Sequence, residues 1–264
     1  MTAVRSRDAT EIAFESSGTG PPAIFVDGAM TYRDFGPARA LATELSTRFT
    51  VFTYDRRGRG ESGDTAAYSS EREVEDLEAV IAAAGGSVAL IGVSSGAVLA
   101  LDAAAHGLPI TKLALYEPPV IVDESRAPLP ADYRKTLIEL LHAGRRGDMA
   151  KFFMRQVGVP GFLIAIMPLF PAWRKQKRVA HTLVYDATFM EGLQAGKPPP
   201  AERWASVQVP TLIADGGKSP PWLHNGADAV AALLPNASRQ TVPGQTHMVK
   251  AKALGPVMTD FLAT

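Results

Sequence analysis

The sequence contains no cysteine. That excludes disulfides, a thiol nucleophile and cysteine-ligated metals, and it fits a reducing compartment. An excess of either charge is also missing, because 27 Lys and Arg balance 27 Asp and Glu. Balanced charge gives no overall attraction to nucleic acid or to an anionic membrane surface, so neither is expected as a partner. No apolar run reaches the length needed to cross a bilayer. The first residues, Met1 to Asp8, lack the apolar core of a secretion signal, and a cytoplasmic protein is the expectation. No ligand cluster or phosphate-cradling loop is present, so no metal and no cofactor are expected.

What is present is an alternation of short apolar runs and amphipathic segments. The 264 residues, 46% of them hydrophobic, suit one large α/β domain or a domain with an insertion. Ala3–Ser6 and Glu11–Ser16 read as strands around a turn, and Ala23–Val26 reads as a buried strand ending in Asp27-Gly28-Ala29-Met30. A helix is expected from about Asp34 to Thr47, and a further strand over Thr50–Tyr54. The segment Asp55 to Gly63, rich in charge and glycine, reads in part as a surface turn. Ser70 to Glu73 match a capping box opening a helix with Val74, Leu77 and Ile81 on one face. Strands alternating with helices imply a mainly parallel sheet with function at the strands' C-terminal ends.

The stretch from Ser87 to Ala105 carries the strongest chemical signal. Val88–Ile91 is a buried strand, Ala97 onward is a run of good helix formers, and Gly92-Val93-Ser94-Ser95-Gly96 lies between them. A G-x-S-x-G between strand and helix is the setting in which a tight turn exposes one serine in a strained conformation. The glycines leave room where a Cβ would collide, and the helix N-terminus favours developing negative charge. Ser94 is therefore the candidate nucleophile. A serine needs a histidine to take its proton and a carboxylate to orient that histidine.

Three segments together carry a family resemblance: Tyr54-Asp55-Arg56-Arg57-Gly58-Arg59-Gly60-Glu61-Ser62-Gly63, the Gly92–Gly96 turn, and Gly244-Gln245-Thr246-His247. In order and spacing the chain resembles the α/β-hydrolase fold from about Glu11 to Phe261. The resemblance implies a core of residues 1–119 and 207–264, with a helical lid over 120–206 inserted after the strand Lys112–Tyr116. Within that insertion, Met149–Val157, Phe162–Phe170 and Val179–Gly192 read as helices. The core resumes with the strand Val209–Asp215, a helix around His224–Leu234, a strand over Ser238–Val242 and a final helix striped by Leu254, Val257, Met258 and Phe261.

The resemblance also assigns roles. Of five histidines, His247 stands where the family carries its base, and His106, His142, His181 and His224 read as surface or structural. The family's usual acid follows the strand ending at Asp215, but Ser219 occupies that place. Glu117, at the end of the strand after the nucleophile's, is the favoured acid, with Asp215 second. The oxyanion site falls to the Ser95 backbone N–H and to Gly28 or Ala29, where the family more often shows His-Gly. A narrower likeness to fungal zearalenone lactonases rests on Asp27-Gly28, the Gly-Val-Ser-Ser-Gly turn and Glu117, and it points towards lactones. Met30, Trp173, Phe189 and Met248 are the candidate substrate contacts.

The leading expectation is a serine hydrolase acting on an apolar small-molecule ester or lactone, with a homodimer as one assembly. Two alternatives stay open. One is cofactor-free perhydrolysis or carbon–carbon hydrolysis on the same residues, and the other is a non-catalytic ligand-binding protein of the same fold.

Overall fold

The computed structural model describes residues 2–264. Eight strands form one sheet: β1 (Thr2–Arg5), β2 (Glu11–Ser17), β3 (Pro22–Val26), β4 (Thr50–Tyr54), β5 (Val88–Val93), β6 (Ile110–Tyr116), β7 (Thr211–Gly216) and β8 (Ala237–Val242). Their order across the sheet is β1-β2-β4-β3-β5-β6-β7-β8. Only β2 runs against the rest, since it pairs antiparallel with both β1 and β4 while the remaining pairs are parallel. β5 is buried along its whole length. A strand covered on both faces needs no alternation, which is why its sequence reads as one apolar run.

Helices cover the sheet on both sides. On one face lie α1 (Ala38–Leu45) and α10 (Ala251–Ala263), packing Leu41, Leu45, Leu254 and Met258 against Phe25 and Ile91. On the other lie α2 (Ser70–Ala83), α3 (Ser95–Ala105) and α9 (Pro221–Ala232), which bury Leu77, Leu99, Leu101 and Val230 with Ile24 and Leu90. Between β6 and β7 come α4 (Tyr133–His142), α5 (Arg146–Gln156), α6 (Gly161–Ile166), α7 (Ala172–Val179) and α8 (Leu183–Phe189). These helices gather Leu137, Met149, Val179 and Leu183 into a third apolar cluster with Met30 and Tyr32 of the loop after β3. Among the described residues, no helix is long and apolar enough to cross a membrane.

Several expectations need correction. α1 starts at Ala38 rather than Asp34, because Gly36-Pro37 stands before it and Tyr32 and Phe35 form an isolated bridge there. The capping box at Ser70 does not form. Ser69 is the residue before α2 and makes no side-chain cap bond, while the Glu73 carboxylate turns to Arg56. Pro168 ends α6 early, and a 3-10 turn replaces its last part. The segment after β4 is a surface turn only in its last part, where Glu61 is exposed: Arg56, Arg57 and Arg59 are each 1% exposed. The Asp55 carboxylate explains the loop's shape, accepting the N–H groups of Arg33 and Glu61. Gly60 is obligatory there, since at φ 54° a Cβ would lie 2.1 Å from that carboxylate.

Topology decides where the loops meet. After β4 the chain returns across β3 to lay down β5, so β3 and β5 are neighbours at the point where the winding reverses. Val26 is level with Gly92, Val93 with Tyr116, Tyr116 with Ala214 and Gly216 with Val242. The loops after β3, β5, β6, β7 and β8 therefore leave the same sheet edge side by side.

Candidate active site

Ser94 turns the chain from β5 into α3 at φ 53° and ψ −130°, a left-handed conformation that an L-residue holds only when its surroundings impose it. The glycines make the turn possible. A Cβ on Gly92 would meet the Ala97 Cα at 2.6 Å, and one on Gly96 would meet the Val26 carbonyl at 2.2 Å. The Ser94 N–H donates to the Tyr116 carbonyl at 2.9 Å, tying the turn to the strand that ends at Glu117.

His247 lies in the loop between β8 and α10, with its Nε2 3.1 Å from the Ser94 hydroxyl and its Nδ1 2.7 Å from Glu117 Oε2. A carboxylate can only accept, so the imidazole proton sits on Nδ1 and Nε2 accepts from Ser94. The other oxygen of Glu117 accepts from the Gly216 N–H at 2.7 Å and from the Ser219 hydroxyl at 2.5 Å. Glu117 is fully buried, whereas the His247 side chain is 38% exposed and within reach of a ligand. The Tyr116 hydroxyl holds the histidine loop by donating to the Thr246 carbonyl at 2.7 Å.

Of the two candidate acids, Glu117 is the one brought to His247. Asp215 faces elsewhere: its carboxylate is paired with Arg239 and lies 2.9 Å from His224 Nδ1. Burial alone would raise Asp215, but hydrogen bonds from Arg239, Thr241 and His224 hold it below the usual carboxylate range.

The loop after β3 sits against Ser94. A Cβ on Gly28 would lie 3.0 Å from Ser94 Cβ and 3.6 Å from its hydroxyl, so only glycine leaves that space open. Ser95 is the first residue of α3, and its N–H has no partner within the helix. The arrangement leaves a hydroxyl beside a base, with a free backbone N–H on the next residue, a combination suited to acyl transfer. Asp27 is fully buried beside them, accepting from Thr31 at 3.0 Å through one oxygen while the other has no partner. Burial pushes its carboxyl up to about 7, against the Thr31 hydroxyl and the charges of Arg59 and Arg56.

The proposed substrate contacts are scattered. Met248 follows His247 and is 86% exposed, and Met30 is buried at φ 65° against the insertion. Phe189 is instead a core residue under the Arg56 guanidinium, 5.2 Å from its ring centre. Trp173 packs on Gly147 of α5, with Lys151 above its ring. Both rings are taken up by packing. Sequence reasoning also missed Ser219 as a donor to Glu117, since a serine in place of an acid reads as a loss. It missed Asp186, a lone carboxylate in an apolar helix whose partners are distant in sequence. Among the described residues, no cluster of three or more His, Cys, Asp or Glu could hold a metal ion.

This geometry sits on a chain whose residues 18–249 match the model of the alpha/beta hydrolase family. The chain belongs to that family. A solved alpha/beta hydrolase from Sphaerobacter thermophilus DSM 20745 is 49% identical over 99% of this chain and 100% of its own, with a TM-score of 0.91. An enol-lactonase from Burkholderia xenovorans LB400 is 19% identical over 100% of both chains, with a TM-score of 0.71. An esterase from Thermogutta terrifontis is 20% identical over 99% of this chain and 97% of its own, with a TM-score of 0.67. The last two share the fold. No curated protein matches the chain.

Proposed function

We propose that this member of the alpha/beta hydrolase family is a serine hydrolase that cleaves a carboxylic ester or lactone through an acyl-enzyme. One observation carries the reading: the unbroken hydrogen-bond chain Ser94–His247–Glu117, 3.1 and 2.7 Å long. Ser94 Oγ attacks the carbonyl carbon while His247 Nε2 takes its proton, and buried Glu117 stabilises the imidazolium. The oxyanion is met by the Ser95 N–H and by an N–H of Gly28 or Ala29. The C–O bond then breaks, and His247 returns the proton to the departing alcohol oxygen, which in a lactone stays tethered to the acyl group. Water, deprotonated by the same histidine, releases the acid and regenerates Ser94. The Asp27-Gly28 loop with Glu117 supports a lactone within that class.

The test is a panel of p-nitrophenyl esters of rising acyl length alongside simple and macrocyclic lactones, with fluorophosphonate labelling read by mass. Hydrolysis and a label on Ser94 are expected, and Ser94→Ala and His247→Ala should lose both. Near-wild-type turnover by Ser94→Ala on the best substrate would overturn the assignment.

A further inference from the structure

Asp186 projects from α8, inside the insertion, yet its carboxylate reaches the catalytic edge of the sheet. Oδ1 accepts from the Ser95 hydroxyl at 2.8 Å and from Arg56 Nη1 at 2.9 Å, and Oδ2 accepts from Arg59 Nη2 at 2.6 Å. The two arginines continue to the loop after β3. Arg56 Nη1 lies 3.3 Å from the Asp27 carbonyl, and Arg59 Nη1 donates to the carbonyls of Gly28 at 2.5 Å and Thr31 at 3.2 Å. Thr182, on the short turn before α8, accepts from Arg59 Nε at 3.1 Å. The side chains of this web are buried: Arg56 and Arg59 are 1% exposed, Ser95 3% and Asp186 6%.

We propose that Asp186 is a positioning residue for the oxyanion site, fixing both of its halves through one carboxylate. Its hydrogen bond to Ser95 Oγ orients the peptide whose N–H follows Ser94, and its two arginines hold the carbonyls that set the Gly28 and Ala29 peptides. The proposal rests on Ser94 being the nucleophile.

Three considerations support it. The Ser94 φ of 53° is a strained conformation that persists only where neighbours over-determine the turn. The Asp186–Ser95 bond is such a restraint, placed on the adjacent residue. Oxyanion stabilisation depends on donors fixed before charge develops, so a donor that drifts loses catalysis without losing substrate affinity. Finally, three arginine and serine donors converge on this one carboxylate, which is more than docking a helix requires. Burial would raise Asp186, but Arg56 and Arg59 hold it below the usual range, so it stays charged.

The experiment uses the full-length protein, p-nitrophenyl acetate as substrate and diethyl p-nitrophenyl phosphate as a probe of the oxyanion site. With the probe, Ser94 Oγ attacks phosphorus, the P–O bond to p-nitrophenolate breaks, and the serine proton passes to His247. The phosphoryl oxygen occupies the oxyanion position. Ser95→Ala is expected to lower kcat and the phosphorylation rate by about tenfold, with KM within about twofold. Asp186→Asn should lower both rates by roughly 10–10²-fold, again with little change in KM. The double variant should lose less than the product of the single losses, because both act through one bond. Wild-type kcat and phosphorylation rate in Ser95→Ala, or multiplicative losses, would overturn the proposal. So would an Asp186→Asn protein whose lower Tm is accompanied by wild-type turnover per phosphorylatable site. If Asp186→Asn does not fold, Ser95→Ala decides alone, since it removes one hydroxyl and leaves no charge unpaired. A label found away from Ser94, or activity retained by Ser94→Ala, would instead defeat the nucleophile assignment beneath it.

Discussion

Glu117 adopts a φ of 46°, and Ser94 and Met30, at 53° and 65°, share its left-handed conformation. Ser94 and Glu117 directly follow the neighbouring strands β5 and β6, where loops must turn sharply, and Met30 lies in the loop after β3. The turn that exposes Ser94 was legible because its strand, glycines and helix are contiguous in sequence. Glu117 was legible only as one of two carboxylates, because which of them faces the histidine depends on side-chain direction. With its charge 2.7 Å from His247, Glu117→Gln should lower kcat by roughly 10²–10⁴ with KM little changed. Asp215→Asn should leave kcat near wild type and lower Tm, since it loosens the pairing with Arg239; steady-state kinetics and thermal melts on both variants check this. Asp27 predicts a pH effect of its own. With its carboxyl raised from 3.8 to about 7, the folded protein keeps a proton that the unfolded chain has released. Stability from this group is therefore full at low pH and lost as pH rises to about 7. Asp27→Asn should gain Tm relative to wild type between about pH 5 and about pH 8. A constant difference would show that the folded carboxyl is already charged at the lower pH.

At the scale of elements, the loop after β7 has changed its task. Where the family's acid is usual, Ser219 donates to Glu117 instead, so an acid at 219 would lie within one hydrogen bond of the present one. Ser219→Asp in the Glu117→Gln background should therefore recover part of kcat, and no recovery would place the 219 side chain outside the reach of His247. The 3-10 turn Ala201–Trp204 leads the chain back to β7. Trp204 is fully buried there, and its indole N–H donates to Asp102 of α3 at 2.8 Å while Arg203 grips the same carboxylate. Trp204→Ala should cost about 3–5 kcal/mol in denaturant unfolding with kcat unchanged in the folded protein. Strand positions were readable throughout, since β3 to β7 are short apolar runs. Helices were read less well: α4 and the mostly polar α7 were not expected, and Gly36-Pro37 delays α1 while Pro168 cuts α6, each a local break within an otherwise helical pattern.

Across the whole molecule, the arginines after β4 show what a sequence cannot reveal. A run of charge reads as solvent-facing, yet Arg56 finds Asp186 130 positions away, and pairing at that distance leaves no periodic trace. The arginines join the sheet to the insertion where Arg56 and Arg59 meet Asp186, while Arg56 also meets Glu73, and Arg57 meets Asp76 and Asp8 within the core. Charges withdrawn from water are also withdrawn from counter-ions. Sodium chloride weakens exposed pairs such as Arg39–Glu15, whose side chains are 55% and 40% exposed, but it cannot enter a site where the arginines are wholly covered. Raising salt from about 0.1 to about 1 M shrinks the screening length from about 10 to about 3 Å, and Tm should stay nearly flat through that range. A steep fall would mean that the web opens to solvent before the protein melts. Towards brine, the protein should behave as though its interior carried no charge.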